Sequence, residues 1–172
     1  REAVLRRIIL RDQQLLPDAS MVRNWHRQMF EGAVPHPDYA GNFRDAELVP
    51  ECLRGYDVTV GAYQGVSHAE VLEAVDSFID DLRDAVEELD TNWSAVEPAQ
   101  FTSLGIDLVV KLAAWAHGEW VRIHPFANGN GRTSRLWANY VFIRYGFGPV
   151  VDVRPRPGQT YVKAAARSMG GH

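Results

Sequence analysis

The chain has 172 residues, of which 46% are hydrophobic and 23% are charged, a composition typical of one globular domain with a substantial core. Its formal net charge of -4 argues against general electrostatic binding to nucleic acid, which requires a concentrated basic surface. A single cysteine, Cys52, excludes an intrachain disulfide framework and fits a reducing, cytoplasmic compartment. The sequence has neither an apolar run long enough to span a bilayer nor a signal-peptide pattern, so we expect no membrane partner.

The N-terminal third is predicted to contain two helices and then an irregular segment. Apolar positions indicate a first helix at Val4, Leu5, Ile8, Ile9 and Leu10. The positions that indicate a second helix, expected to end at Gly32, are Val22, Trp25, Met29 and Phe30. Residues 33–65 are rich in Pro and Gly, and the stretch Asp57-Val58-Thr59-Val60 within them favours a small hairpin.

The clearest helical pattern runs from Ser67 to about Leu89. Ser67 and Glu70 have the spacing of a capping box, in which the side chain of each caps a backbone N–H of the other. Apolar residues then recur at steps of three and four, at Leu72, Val75, Ile79, Leu82, Val86 and Leu89. Acidic residues occupy the opposite face, and we interpret them as solvated surface because their carboxylates diverge around the helix.

Two further apolar helices are predicted to bracket a short polar segment. Residues 101–123 are apolar on nearly every side of a helix, which is typical of a helix buried at the centre of a bundle, and we expect it to begin just after Gly105. The second apolar helix is expected to end at about Tyr145, with Gly146 as its C-terminal stop. After a Pro-rich loop, a short helix is predicted over 161–167.

The segment between the two apolar helices concentrates the chemistry of the chain. From His124 to Arg135 it reads His-Pro-Phe-Ala-Asn-Gly-Asn-Gly-Arg-Thr-Ser-Arg. A glycine turn that runs into a helix start directs backbone N–H groups at an anion. Arg132 and Arg135 share one side of that helix and can contact phosphate oxygens. The pattern therefore predicts an anion-binding cradle with a histidine base at its mouth.

This segment resembles the signature of the Fic family, His-Pro-Phe-x-Asp/Glu-Gly-Asn-Gly-Arg-x-x-Arg. The stretch from Ala40 to Arg44 is similar to the family's Gly-x-Phe/Tyr-Arg segment, which precedes a hairpin flap. The resemblance implies a mainly α fold, a Fic-like helical bundle with a small β-hairpin flap. We expect a single Fic-type domain over 1–172, with a signature-bearing core at about 25–148 and helical or loop extensions at 1–24 and 149–172.

The resemblance also implies an activity, the transfer of AMP from ATP onto a Ser, Thr or Tyr hydroxyl of a target protein. His124 would be the general base, because a hydroxyl is a poor nucleophile until a neutral imidazole accepts its proton. The glycines and the Asn amide would hold the nucleotide phosphates, and the arginines would neutralise the outer phosphates and the leaving group. The residues in these binding roles are Gly129, Asn130, Gly131, Arg132 and Arg135.

One position departs from the signature, since Asn128 stands where the family has an acidic residue. In the family that residue binds the Mg²⁺ that accompanies ATP, and a neutral amide is a weaker ligand for this ion. We therefore expect weaker metal binding at Asn128. The activity remains open between slow AMP transfer, a Fic-like nucleotide- or protein-binding domain with little activity, and transfer of a different phosphate-linked group.

The resemblance implies two protein partners besides ATP. The target protein would dock on the flap, expected within residues 45–64, by adding a strand to it. Fic enzymes are often inhibited by a Ser/Thr-x-x-x-Glu-Gly/Asn helix, and no Glu of this chain fits that pattern. Inhibition by a separate, antitoxin-like protein, an inhibitory segment outside the chain and an absence of such inhibition all remain open.

The remaining candidates have structural interpretations. Arg135 could instead form a salt bridge with an acidic neighbour. His117 lies two helical turns before His124 and is interpreted as a core histidine or as a residue that supports the site. Its alternative, a metal ligand, is less favoured because no matching ligand set accompanies it.

Overall fold

In the computed structural model, residues 12, 14–44, 51–93, 97–149, 152 and 158–170 are described. This part of the chain contains five α-helices and one β-hairpin. Their bounds are α1 Ala19–Phe30, β1 Thr59–Val60, β2 Tyr63–Gln64, α2 Val71–Trp93, α3 Ser103–Ile123, α4 Asn130–Arg144 and α5 Gln159–Met169. The predicted fold class, a mainly α bundle with a small hairpin, is confirmed. None of the helices in these ranges combines the length and apolarity that a bilayer crossing requires.

Helix α4 occupies the centre of the molecule, and most of its residues are buried. The indole of Trp137 on this helix lies among aromatic rings of three other helices, 4.8 Å from Trp25, 5.7 Å from Phe78 and 5.9 Å from Trp120 between ring centroids. All three pairs are edge-to-face, an arrangement that aromatic quadrupoles favour. The polar segment that follows α3 and leads into α4 therefore precedes a helix that is largely buried and packed among aromatic rings.

Several elements agree with the sequence. Helix α1 covers the second predicted helix, and α5 extends the predicted short helix by two residues at each end. Gly146 follows α4 with φ of 78°, as expected of a C-terminal stop. The hairpin pairs Thr59 with Gln64 and Val60 with Tyr63. The helix predicted around Val4 to Leu10 lies outside the described residues.

The predicted start of α2 at Ser67 is wrong, because the helix begins at Val71. The backbone N–H of His68 donates to Asp57 Oδ1 at 2.7 Å, and the N–H of Glu70 donates to the Ser67 carbonyl at 3.0 Å. These bonds hold residues 67–70 in a turn against the base of the hairpin. The contact that delays the helix comes from Asp57, ten residues before Ser67, so local spacing does not reveal it.

Two expectations for α3 are also wrong. The helix begins at Ser103, before Gly105, because Thr102 caps it by accepting a hydrogen bond from the Gly105 N–H at 3.2 Å. The helix is not buried on all sides. It leaves large apolar side chains exposed over its first thirteen residues, at Leu104, Ile106, Leu108, Val110 and Trp115.

Candidate active site

A cleft of about 980 Å³ opens between the hairpin, the junction of α3 with α4, and α5. Its lining includes both predicted parts of the site, the histidine and the anion cradle. The sequence-predicted residues that line it are His124, Asn128, Gly129, Asn130, Gly131, Arg132 and Arg135. The hairpin contributes residues 58–63, and α5 contributes Tyr161, Val162 and Met169 among others. The fold thus brings every predicted site residue to one cleft.

His124 terminates α3 in a left-handed backbone conformation, with φ of 55° and ψ of 52°. Its Nδ1 lies 3.0 Å from the Val121 carbonyl oxygen, which can only accept, so Nδ1 carries the hydrogen. Nε2 is then left with a lone pair. Burial lowers the pKa of His124 below its usual value, and the nearby Arg44 acts in the same direction. The imidazole is therefore neutral near pH 7 and is prepared to accept a proton at Nε2.

The cradle is formed by the start of α4. Gly129 caps this helix with φ of 89°, and a Cβ there would meet the Phe30 ring at 2.5 Å, so only glycine fits. The first intrahelical bonds are made to the Gly129 carbonyl by the N–H groups of Arg132 and Thr133. The N–H groups of Asn130 and Gly131 precede these bonds and lie at the positive end of the helix dipole.

The Asn130 side chain has a different role from the one expected. Its Oδ1 accepts from the Phe126 N–H at 2.8 Å, and its Nδ2 donates to the Phe126 carbonyl at 2.6 Å. The amide is buried and closes the loop on itself. It therefore shapes the cradle, while the Asn130 backbone N–H is the group that the helix start presents.

The two arginines sit differently beside the cradle. The guanidinium of Arg132 stacks over the Phe30 ring at 4.2 Å from its centroid. Arg135 is only 5% exposed, and its Nη1 donates to the hydroxyl of Tyr161 at 3.0 Å. One partner of Arg135 is thus a neutral phenol on another helix.

Asn128 offers little to a metal ion. Its Oδ1 accepts from the N–H of Gly129 at 2.7 Å, so the one side-chain oxygen is engaged within its own loop. Across the described residues, no cluster of three or more His, Cys, Asp or Glu side chains comes together that could hold a metal. Mg²⁺ prefers charged oxygens in octahedral array. The described side chains therefore do not form a protein-held magnesium site.

Arg44 is a component of the site to which the sequence had assigned no role. Its side chain is fully buried and donates to the carbonyl oxygens of His124 at 3.0 Å, Tyr56 at 2.8 Å and Val66 at 2.6 Å. Its Nη1 also lies 3.6 Å from Asp57 Oδ1. One guanidinium thus connects the backbone of His124 to both ends of the hairpin segment.

His26 is a second residue that sequence reasoning missed. Its Nδ1 accepts from the Gly41 N–H at 2.9 Å, so Nε2 carries the hydrogen and donates to the Asn128 carbonyl at 2.9 Å. Its ring stacks on Phe126 at 3.8 Å between centroids. Burial lowers the pKa of His26 to about 4, so the ring is neutral near pH 7. It contacts the signature loop through Asn128 and Phe126 without lining the cleft.

Of the two residues that sequence reasoning missed, His26 left a signal of its role in the sequence. His26 lies between Val22 and Phe30 at steps of four, so it occupies an apolar helix face on which a polar ring requires a partner. Arg44 was part of the segment that resembles the family's Gly-x-Phe/Tyr-Arg pattern, but its contacts left no signal, because its acceptors are mostly backbone carbonyls and any residue type provides those.

Comparison with known proteins agrees with this geometry. The model of the Fic/DOC family matches residues 16–142. The protein adenylyltransferase fic-1 of Caenorhabditis elegans is 35% identical over 118 residues, which are 69% of this chain and 20% of that protein. The protein adenylyltransferase Fic of Aedes aegypti is 57% identical over 42 residues, 24% of this chain and 8% of that protein. The chain spans only a small part of these relatives.

Solved structures share the fold. Fic-1 from C. elegans superposes with a TM-score of 0.62 at 25% identity, covering 98% of this chain and 44% of that one. The N-terminal FIC domain of Bep8 from Bartonella sp. 1-1C gives a TM-score of 0.64 at 18% identity, covering 96% and 72%. The signature loop, the helices that bracket it and the family match lead to one conclusion: the chain belongs to the Fic/DOC family.

Proposed function

We propose that the chain transfers AMP from ATP onto a Ser, Thr or Tyr hydroxyl of a target protein. The observation that carries this proposal is the His124 side chain, whose Nδ1–H is held by Val121 so that Nε2 is a neutral base beside the helix start. Its relatives from C. elegans and A. aegypti are named protein adenylyltransferases, which supports the same reaction.

The proposed reaction balances as a single displacement at phosphorus. The target hydroxyl gives its proton to His124 Nε2, and its oxygen forms a bond to the α-phosphorus of ATP. The bond from that phosphorus to the bridging oxygen of the β-phosphate breaks, and pyrophosphate leaves with its electron pair. The N–H groups of Asn130 and Gly131, together with Arg132 and Arg135, would hold the phosphates and stabilise the charge that develops on the leaving group.

In the proposed reaction, any Mg²⁺ would enter with ATP. ATP is ordinarily used as its Mg²⁺ complex, and the ion shields phosphate charge when it is bound. Because Asn128 supplies one neutral oxygen that already accepts a hydrogen bond, no step of the proposed reaction uses a protein-held ion.

The target is proposed to dock on the hairpin within 45–64. The described part of this segment presents an exposed two-strand edge with apolar side chains at Val60 and Tyr63. An extended segment that adds a strand there would lie along the cleft that contains His124. A cytoplasmic location, a single domain over 1–172 and a separate inhibitory protein remain predictions.

The test is labelling with α-phosphate-labelled ATP in a cell lysate. The wild type should label protein, and His124→Ala should lower the rate by at least about a hundredfold, because the hydroxyl loses its base. His36→Ala is the control, since His36 is an exposed histidine that does not line the cleft. Equal labelling by wild type and His124→Ala, or no labelling by the wild type with any divalent metal, would contradict the proposal.

Asn128 favours a second candidate, a Fic-like domain that binds nucleotide with little transfer. Asn128→Asp restores the charged oxygen of the family signature. A large gain in labelling with Mg²⁺ would identify the chain as a transferase weakened at this position. ATP binding by both forms with transfer by neither would favour the binding domain, and the mass added to a labelled target would reveal transfer of a group other than AMP.

A further inference from the structure

Tyr161 on α5 lies in the cleft, although no step of the proposed reaction uses it. Its hydroxyl is 3.0 Å from Arg135 Nη1 on α4 and 2.7 Å from His117 Nε2 on α3. Three helices therefore meet at one phenol oxygen. Arg135 also lies over the Tyr161 ring, with its guanidinium carbon 5.5 Å from the ring centroid.

The direction of each hydrogen bond follows from the chemistry of the groups. A guanidinium only donates, so the Tyr161 oxygen accepts from Arg135. Burial, with a further contribution from Arg135, lowers the pKa of His117 to about 4, so its ring is neutral near pH 7. We assign the phenol hydrogen to the bond with His117 Nε2, which corresponds to the tautomer with its hydrogen on Nδ1. Successive bonds of this kind polarise and strengthen one another.

The packing of α5 on α3 brings these groups together. A Cβ at Gly118, next to His117, would meet Ser168 Oγ at 3.0 Å, so glycine permits the close approach of the two helices. Ser168 lies seven residues after Tyr161, two turns along α5 and on the same face. The approach at Gly118 therefore places the Tyr161 hydroxyl within reach of His117.

We propose that Tyr161 is a positioning residue that orients Arg135 toward the phosphates of the nucleotide donor, with His117 holding the phenol hydrogen in place. This assignment rests on the proposed function. A long arginine side chain has many rotamers, and ordering it before the ligand arrives lowers the entropic cost of binding. Tyr161 contacts the donor only through Arg135 in this assignment.

The first experiment measures binding of a non-hydrolysable ATP analogue and of inorganic pyrophosphate to the purified chain. Tyr161→Phe should weaken both by about tenfold, the effect expected from losing a hydrogen bond to a charged group. Tyr145→Phe is the matched control, because it removes a phenol hydroxyl that bonds to Val86 and Asp90 at the other end of α4. The control should bind both probes as the wild type does.

The second experiment separates positioning from a loss of stability. In the background of Arg135→Ala, the change Tyr161→Phe should weaken binding no further, since the group through which it acts is gone. His117→Leu should weaken binding about threefold by removing the acceptor, and His117→Gln should restore it because the amide oxygen accepts the phenol hydrogen.

The results of these two experiments support or overturn the positioning role of Tyr161. Equal binding by wild type and Tyr161→Phe, additive effects of Tyr161→Phe and Arg135→Ala, or equal losses in His117→Leu and His117→Gln would overturn it. If the wild type itself bound neither probe, the proposed function would fall and this assignment with it. Binding by the wild type with no change in Tyr161→Phe would remove the assignment alone.

Discussion

Buried polar side chains, rather than apolar contacts alone, determine where the signature loop lies. His26 donates to the Asn128 carbonyl, Arg44 to the His124 carbonyl, and Asn130 closes the loop on Phe126. Each of these partners is a backbone group, which would be left unsatisfied at a cost of about 1–3 kcal/mol if its side chain were removed. The loop geometry is therefore over-determined, as a preorganised anion site requires.

His26 makes the stability of the fold sensitive to acid. Its folded-state pKa of about 4 lies below the unfolded value of about 6.5, so the unfolded chain binds the extra proton first and stability falls as pH falls from about 6.5 to about 4. We expect His26 to contribute about 2 kcal/mol of the loss between about pH 7 and about pH 5.

Urea unfolding at the two pH values measures this loss, and His26→Gln provides the comparison. A glutamine can donate to Asn128 and accept from Gly41 without titrating. The variant should lose less stability on acidification than the wild type does. Parallel losses in the two proteins would show that the acid sensitivity belongs to other groups.

For individual residues, the sequence predicted which side chains come together in the site better than it predicted their hydrogen-bond partners. His124, the glycines and both arginines come together as their spacing indicated. The contacts of Asn130 and Arg44 were not predictable, because their acceptors are backbone carbonyls that leave no mark on residue type. The phenol beside Arg135 was also not foreseen, since Tyr161 is 26 residues away in a helix whose packing is a tertiary property.

Among the secondary-structure elements, the hairpin approaches His124, the proposed general base. It is attached through Arg44 at both ends, and Gly65 follows its second strand. A Cβ on Gly65 would lie 2.8 Å from the Cβ of His124 and 3.4 Å from the Ile123 carbonyl. The end of the hairpin is therefore in closest contact with the backbone of the proposed base.

Gly65→Ala tests the importance of this approach. The added methyl must displace either the hairpin or His124, so we expect labelling to fall about tenfold while the free energy of unfolding changes by less than about 1 kcal/mol. Gly158→Ala is the control, because no atom lies within 4 Å of the added Cβ. Labelling assays and urea unfolding measure the two quantities. Full activity of Gly65→Ala would mean that the hairpin end can shift without moving His124.

Element boundaries were predicted well where a local signal decides them. Gly146 ends α4 as expected, since glycine readily adopts φ of 78°. The start of α3 was missed because Thr102 provides a cap that outweighs the low helix propensity of Gly105. Gly105 has a packing role instead, as a Cβ there would meet the Trp93 ring at 2.8 Å.

In the molecule as a whole, the site and a partly buried ion pair, Arg144 with Asp90, lie at opposite ends of α4. Arg144, at the C-terminal end, donates to both carboxylate oxygens of Asp90 on α2. Tyr145 donates to the same carboxylate at 3.1 Å, and burial raises the pKa of Tyr145 well above its usual value. This network connects α2 to α4 far from the cradle.

Arg144→Met should therefore affect stability without affecting ligand binding. We expect a loss of about 2 kcal/mol in the free energy of unfolding, because the Asp90 carboxylate loses its cation in a partly buried position. Binding of the ATP analogue at a temperature well below the unfolding midpoint should be unchanged. Lys111→Met removes an exposed ion pair with Asp107 and should alter neither quantity. Weaker binding in Arg144→Met would indicate that the two ends of α4 are coupled.

The left-handed backbone of His124 has a consequence for the balance between stability and chemistry. The end of a helix in this conformation favours glycine, and a side chain there costs about 1 kcal/mol. If His124 is the base of the proposed reaction, His124→Gly should be inactive and yet should unfold at a higher temperature than His124→Ala. A chain that needed no base at position 124 would gain stability from glycine, so the histidine there gives up stability for the proposed chemistry.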